Sequence, residues 1–230
     1  MIHFKEVHKS YPASASARPT GEREALGGVS FDIAPGELVL LAGHSGAGKT
    51  TLLKLLAALE RPTAGTVLVH GYDVGAMRST AIPYLRRNLG LIFQDTRLLT
   101  DRSVLANVML PLLVIGASAR EATKRARAAL DRVGLLDREK LNPLALSGGD
   151  QQHLAIARAI VNRPSILIAD EPTANLDHEA ATQVIEIFRQ FNQVGVTALI
   201  ASHDESLFGG HASRVLRLDH GRLTQAERAS

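Results

Sequence analysis

Gly43-His44-Ser45-Gly46-Ala47-Gly48-Lys49-Thr50 joins an apolar run, Glu37–Ala42, to a leucine-rich run, Lys49–Leu59. The first run reads as a buried strand. The second carries Leu52, Leu53, Leu55, Leu56 and Leu59 and reads as a largely buried helix that stops before Pro62. A glycine-rich loop between a strand and a helix, ending in Lys-Thr, has the spacing and the context of a phosphate-binding loop. Its glycines allow backbone N–H groups to converge on an anion, and the helix start adds the positive end of its dipole. Lys49 is then expected to reach the β- and γ-phosphates of a nucleoside triphosphate. The Thr50 hydroxyl is expected to complete the coordination of Mg²⁺.

Upstream of the loop, Ile2–Val7 and Val29–Ile33 alternate and predict two antiparallel strands. Between them Ala13–Arg23, rich in Ala, Ser, Pro and Gly, predicts a mobile loop, and Pro35-Gly36 a turn into the next strand. Downstream, Val67–Val69 predicts a further strand, and from about Gln94 to Val161 helical periodicity dominates. There Ala122, Ala126, Ala129, Leu130 and Val133 share one face, with Arg and Lys opposite. Ile166–Ala169 and Thr197–Ala201 predict short buried strands separated by an amphipathic helix carrying Val184, Ile187, Phe188 and Phe191. A hairpin is expected to turn at Asp219-His220-Gly221. This alternation predicts an α/β fold with a mostly parallel core sheet, an antiparallel β part and an inserted helical segment. A ligand is expected beyond the carboxyl ends of the central strands.

The chain has 230 residues, enough for one large domain carrying a subdomain. A chain of this size buries roughly 70–75% of its unfolded surface, so the core needs no staples. There is no cysteine, which excludes disulfides, a thiolate nucleophile and cysteine metal sites and suits a reducing cytoplasm. Met1–Ser10 mixes charged and apolar residues and does not read as a secretory leader. Val108–Ile115, the most apolar stretch, is far short of the roughly 20 residues of a membrane span and contains Pro111. If the protein acts at a membrane, a second polypeptide must supply the spans. The net charge of +3 is too small to argue for a nucleic-acid partner. Six Phe, three Tyr and no Trp make a base-stacking platform a poor reading.

Ile166-Leu167-Ile168-Ala169-Asp170-Glu171 is an apolar strand ending in two carboxylates. Neighbours on a strand point to opposite faces, so Asp170 is expected to approach Mg²⁺ while Glu171 turns elsewhere, to accept a proton from an attacking water or to orient it. Leu146-Ser147-Gly148-Gly149-Asp150-Gln151 opens a helix and reads as a second phosphate-binding helix start. A chain needs one cradle for one triphosphate. Two cradles with a carboxylate-tipped strand resemble the ABC ATPase family, whose signature is close to Leu-Ser-Gly-Gly-Gln or Leu-Ser-Gly-Gly-Glu.

That resemblance covers nearly the whole chain and implies a P-loop NTPase fold, 1–230 as one ABC ATPase domain with about 95–160 inserted as a helical subdomain in a RecA-like core. It implies ATP and Mg²⁺ as ligands and a homodimer formed head to tail on ATP binding, each ATP lying between the phosphate loop of one copy and Ser147, Gly148, Gly149 and Asp150 of the other. In the same terms Tyr11 stacks on adenine, and Gly43, His44, Ser45, Gly46, Ala47, Gly48, Lys49, Thr50 and Thr51 hold the nucleotide. Gln94 senses Mg²⁺ and links to a membrane partner, and Asn175-Leu176-Asp177 contacts the second copy. Glu171, His203, Gln94 and Lys49 are the implied catalytic residues, and Thr50, Gln94 and Asp170 the metal-binding ones.

Within the family, IPYLRR at 82–87, IFQD at 92–95, LLTDRSVLANV at 98–108, His44 and the opening MIHFKEVHKSY are similar to the cell-division branch. This implies an FtsX-like integral membrane partner at the cytoplasmic face of the bacterial inner membrane, and ATP cycling that regulates cell-wall hydrolysis. The ATPase subunit of a lipoprotein-release or macrolide-type exporter shares the motifs and differs in partner. A soluble ABC protein of translation or DNA repair and a nucleotide-gated scaffold are the more distant readings. Departures from the family pattern are Asp150 for Glu or Gln, His153 for Arg or Lys, Ala174 for a frequent Gly, and the length of the Ala13–Arg23 loop.

Overall fold

Alternation of apolar and polar side chains in the first 33 residues produces a two-stranded antiparallel pair, in a computed structural model that describes residues 1–12, 22–208 and 210–228. In chain order its elements are β1 (Ile2–Pro12), β2 (Glu22–Ile33), β3 (Leu38–Ala42), α1 (Lys49–Leu56), β4 (Ala64–Val69), β5 (Tyr72–Asp73), α2 (Ile82–Arg86) and β6 (Leu89–Ile92). They continue with α3 (Val104–Val114), α4 (Ala119–Arg132), α5 (Gly148–Ile160), β7 (Ile166–Asp170), α6 (His178–Gln193), β8 (Thr197–Ser202), α7 (Glu205–Phe208), β9 (Arg214–Asp219) and β10 (Arg222–Arg228). Two compact units result, one from Met1–Arg86 with Leu199–Ser230, the other from Arg87–Ala198.

In the first unit an antiparallel sheet runs in the order β2-β1-β4-β5. Phe4 and Phe31 face each other across β1 and β2 with stacked rings 4.6 Å apart. Residues 13–21 of the expected Ala13–Arg23 loop lie outside the described residues, while Glu22 and Arg23 belong to β2. The same unit holds β3, parallel to β9, which pairs antiparallel with β10. All five residues of β3 are buried, as a strand covered on both faces requires. The turn from β9 to β10 has two left-handed residues, His220 (φ 44°) and Gly221 (φ 76°), as a tight two-residue hairpin demands.

Helix α1 ends at Leu56, three residues before the expected end, and Leu59 is exposed instead of buried. The reason is a left-handed stop at Ala58 (φ 53°). The Ala58 N–H donates to the Leu55 carbonyl and the Leu59 N–H to the Lys54 carbonyl, satisfying two terminal acceptors that a longer helix would have used. The short elements β5 and α2 have no counterpart in the sequence pattern. Two and five residues are too few to carry a period.

In the second unit β6 pairs in parallel with β7. Helices α3, α4 and α5 pack on one another around Val108, Leu112, Ala122, Ala126, Leu130 and Leu154, all buried. Ser103 caps α3, Ser118 caps α4 and Asp177 caps α6, each side chain accepting from the third helical N–H. Among the described residues no helix is long and apolar enough to cross a membrane.

Candidate functional site

The phosphate loop belongs to the first unit. It leaves the carboxyl end of β3, and α1 begins at Lys49 with Gly48 (φ 109°) at its cap and no side chain capping it. A helix start uncapped by its own side chains leaves backbone donors for an anion. Two loop glycines are required by close approach. A Cβ on Gly43 would lie 2.3 Å from the Leu218 carbonyl oxygen, and one on Gly48 2.7 Å from that of Ala25. The loop is stitched to the β9–β10 turn, since the Gly221 N–H donates to the Ala47 carbonyl at 2.9 Å. Both segments leave the same edge of the sheet, because Ala42 pairs with Arg217.

Lys49 is buried at the centre of this loop, its ammonium donating to the carbonyls of Gly43 at 2.5 Å and His44 at 3.3 Å. His44, Ser45, Gly46 and Thr50 are exposed. Tyr11, at the end of β1, is half-buried and is joined by hydrogen bonds to Thr51 and Glu60. Partial burial and then the Glu60 carboxylate push its phenol above the usual tyrosine range. Burial alone would raise Glu60 as well, but hydrogen bonds from Tyr11 and Lys9 hold it below the usual carboxylate range. The Lys9 ammonium also sits 4.9 Å from the centre of the Tyr11 ring, so the aromatic expected to meet adenine already has a cation on its face. His203 follows β8 directly and is exposed.

The remaining expected residues belong to the second unit. Ile92 pairs with Ala169, so Gln94 and Asp170-Glu171 leave the same carboxyl edge of adjacent strands β6 and β7. Asp170 is buried at the end of β7. Glu171 is not in the strand: its φ of 49° is left-handed, and its carbonyl accepts from the Ala174 N–H at 3.1 Å. The expected separation of the two carboxylates by strand alternation is therefore replaced by a turn. A left-handed glutamate is an uncommon backbone state that the surrounding structure must hold in place.

At the second helix start, Ser147 caps α5. Its hydroxyl accepts from the Asp150 N–H at 3.2 Å and donates to the Asp150 carboxylate at 2.7 Å. Asp150 also accepts from the Ser147 N–H and from Arg138, completing a reciprocal cap with a shorter acid than the usual Glu. Burial opposes ionisation of Asp150, but Ser147 and Arg138 outweigh it and hold the carboxyl below its ordinary range. Gly149 lets α5 approach α6, since its Cβ would lie 3.1 Å from that of Ala180. His153, at the position where a basic residue was expected, is buried. Burial lowers its basicity against the pull of Asp150.

Sequence reasoning missed the side chains that hold the segment after Gln94. Asn107, wholly buried on α3, accepts from the Leu99 N–H at 2.8 Å and donates to the carbonyls of Leu99 and Ser103, each at 3.0 Å. Arg158 on α5 donates to the carbonyls of Thr96 and Arg97. A single Asn within the apolar run VLANVMLPLLV is the signal that could have found the first.

A buried strand opening into a glycine-lined loop with a central lysine, a second glycine-rich helix start and a carboxylate-tipped strand define a class of protein. The ABC transporter family profile matches residues 26–174, and the chain belongs to that family as an ABC-type ATPase. Among individual proteins it is 48% identical to the cell division ATP-binding protein FtsE of Escherichia coli K12, over 97% of each chain. It is 41% identical to the protein of the same name from Mycobacterium tuberculosis, over 99% of this chain and 96% of that one. A solved structure of the ATP-binding cassette MJ0796, dimeric and bound to ADP and Pi after hydrolysis, superposes with a TM-score of 0.91 at 30% identity, covering 100% of this chain and 99% of that one.

Proposed function

We propose that this chain is the ATP-binding and ATP-hydrolysing subunit of an FtsE–FtsX-type complex at the cytoplasmic face of the bacterial inner membrane. In this reading it couples ATP-driven dimerisation to an FtsX-like integral membrane protein that regulates cell-wall hydrolysis in division. The observation that carries the reading is the glycine-lined loop at 43–50 around a buried Lys49, in a chain 48% identical along nearly its whole length to a protein named for cell division. The whole chain acts as one nucleotide-binding domain, with about 95–160 as its inserted helical part.

The groups assigned to Mg²⁺, namely Thr50, Gln94 and Asp170, offer only oxygen donors of the kind a hard cation selects. A bound Mg²⁺ neutralises charge developing on the phosphates. The loop N–H groups and the ammonium of Lys49 bind the β- and γ-phosphates, and Tyr11 meets the base. Glu171 orients the attacking water and takes its proton, and His203 contacts the γ-phosphate. Ser147, Gly148, Gly149 and Asp150 of a second copy close over the nucleotide, so loss of the γ-phosphate removes the bridge between copies. Membrane association comes through the partner, with no nucleic acid involved.

The test is an affinity pull-down from membranes with the Glu171→Gln form and ATP. Recovery of an FtsX-like protein supports the reading. Recovery of a lipoprotein-release or macrolide-type permease keeps the ATPase and overturns the division role.

A further inference from the structure

The exposed ring of His44 carries an arrangement that the roles proposed for the loop N–H groups and Lys49 leave unused. Its Nδ1 lies 2.7 Å from the Ser45 carbonyl oxygen, and its Nε2 lies 3.0 Å from Oδ1 of Asp219 on the β9–β10 turn. Both neighbours are acceptors only. A neutral imidazole has one N–H, so it can satisfy one of them and must face the other with a lone pair. A metal ion at one ring nitrogen would bridge that nitrogen to its acceptor while the other nitrogen donates its N–H. The tautomer that gives Nδ1–H to the Ser45 carbonyl turns the Nε2 lone pair toward Asp219. A histidine that binds a metal through one nitrogen while donating the other N–H to a backbone carbonyl has this geometry.

A third ligand stands beside these two. Nε2 of His220 lies 3.8 Å from the same Asp219 oxygen, and the His44 and His220 rings are 5.0 Å apart. The three ligand atoms lie within 4.8 Å of one another, and among the described residues no other group of three His, Cys, Asp or Glu does so. Ligands about 2.0–2.2 Å from a common ion stand roughly 3–4 Å from one another, so the three groups stand close to the spacing such an ion needs. By contrast, His3–Asp32 and His8–Glu24 are pairs through one nitrogen.

We propose that His44, Asp219 and His220 form a site for a borderline divalent transition-metal ion of the Zn²⁺ class. Two imidazoles and one carboxylate with an open fourth position suit Zn²⁺ and its neighbours, and are too nitrogen-rich for Mg²⁺. The site joins the phosphate loop to the hairpin turn on which it already rests through the Gly221–Ala47 hydrogen bond. Metal binding there would tether the loop that holds the triphosphate.

The test uses the full chain without nucleotide, so it stands or fails apart from the ATPase reading. Zn²⁺ is titrated against a chromophoric chelator, with Co²⁺ absorption as a second readout of the ligand set. Wild type should take up a saturable equivalent. His220→Asn and Asp219→Asn should each weaken it by about tenfold or more and abolish the Co²⁺ band. Asn suits the left-handed turn position of His220, and circular dichroism checks that both variants fold. Absence of saturable uptake, or equal affinity in wild type and both variants, overturns the site.

Discussion

Replacing Asn107 by Ala tests whether the segment following Gln94 is held by one buried amide. The side chain makes three hydrogen bonds, to both backbone groups of Leu99 and to the Ser103 carbonyl, and none of it reaches solvent. Each bond contributes about 0.5–1.5 kcal/mol net, and a buried donor or acceptor left unpaired costs about 1–3 kcal/mol. Water entering from the Leu99 side would recover part of the loss, so the expected destabilisation is about 3 kcal/mol. For a chain of this size that lowers Tm by roughly 6–12 °C. The assay is thermal unfolding followed by circular dichroism, with Leu113→Ala as a control from an exposed position on the same helix. Because the freed segment begins just after Gln94, ATP hydrolysis should fall more than ATP affinity in the folded protein. A Tm within about 2 °C of wild type would refute the assignment of Asn107 as the anchor.

Four further outcomes are expected. Glu171→Gln should retain ATP binding while hydrolysis drops by about 10²–10⁴-fold, the usual contribution of a positioned base; wild-type turnover in a phosphate-release assay would remove Glu171 from its role. Lys49→Ala should weaken ATP binding by about tenfold or more in equilibrium titration, since a charged donor inside the loop is worth about 1.5–3 kcal/mol; unchanged affinity would contradict the cradle. Gly43→Ala should destabilise the protein in urea unfolding and impair nucleotide binding, because the added carbon would lie 2.3 Å from the Leu218 oxygen; equal stability would show that the loop yields. For Asp150, whose folded carboxyl is held below its unfolded value, the stabilisation is present above about pH 4 and is lost as pH falls through the depressed folded value. The stability gap between wild type and Asp150→Asn should therefore be constant near neutral pH and shrink in acid, and a gap that widens in acid would reverse the sign of the argument.

Much of this architecture is legible in sequence because it rests on local rules. The buried run Leu38–Ala42, the glycines of 43–48 and the leucines of α1 read together, since strand, turn and helix each carry their own period or conformational demand. The α4 face and the Asp219-His220-Gly221 turn were legible for the same reason, and Ala122, Ala126, Ala129, Leu130 and Val133 are all buried. The stop at Ala58 was not. Glycine is the usual residue at a left-handed helix end, and an alanine there gives no warning. Contacts between distant residues were hidden too. Nothing in the spacing of Tyr11 and Glu60, or of His44 and Asp219, predicts their meeting; the β1–β4 pairing brings the first pair close and the β3–β9 pairing the second.

The carboxylate edge of β7 shows why strand logic fails where chemistry begins. Alternation would send Asp170 and Glu171 to opposite faces of the sheet, and a regular strand would bury one of them among apolar neighbours, where an ionised carboxylate is costly. The chain instead ends the strand at Asp170, which stays buried, and turns at Glu171 through a left-handed residue whose carbonyl closes onto Ala174. That turn leads through Asn175, also left-handed, into Asp177, whose carboxylate caps α6 at 2.8 Å. The helix is thus anchored at its first turn, and both ends of the strained segment are fixed. A backbone state that costs of order 1–3 kcal/mol persists only under such constraint. Its position directly after the strand, at the carboxyl edge that Gln94 also leaves, suits the orienting role proposed for Glu171, which needs a rigidly held group.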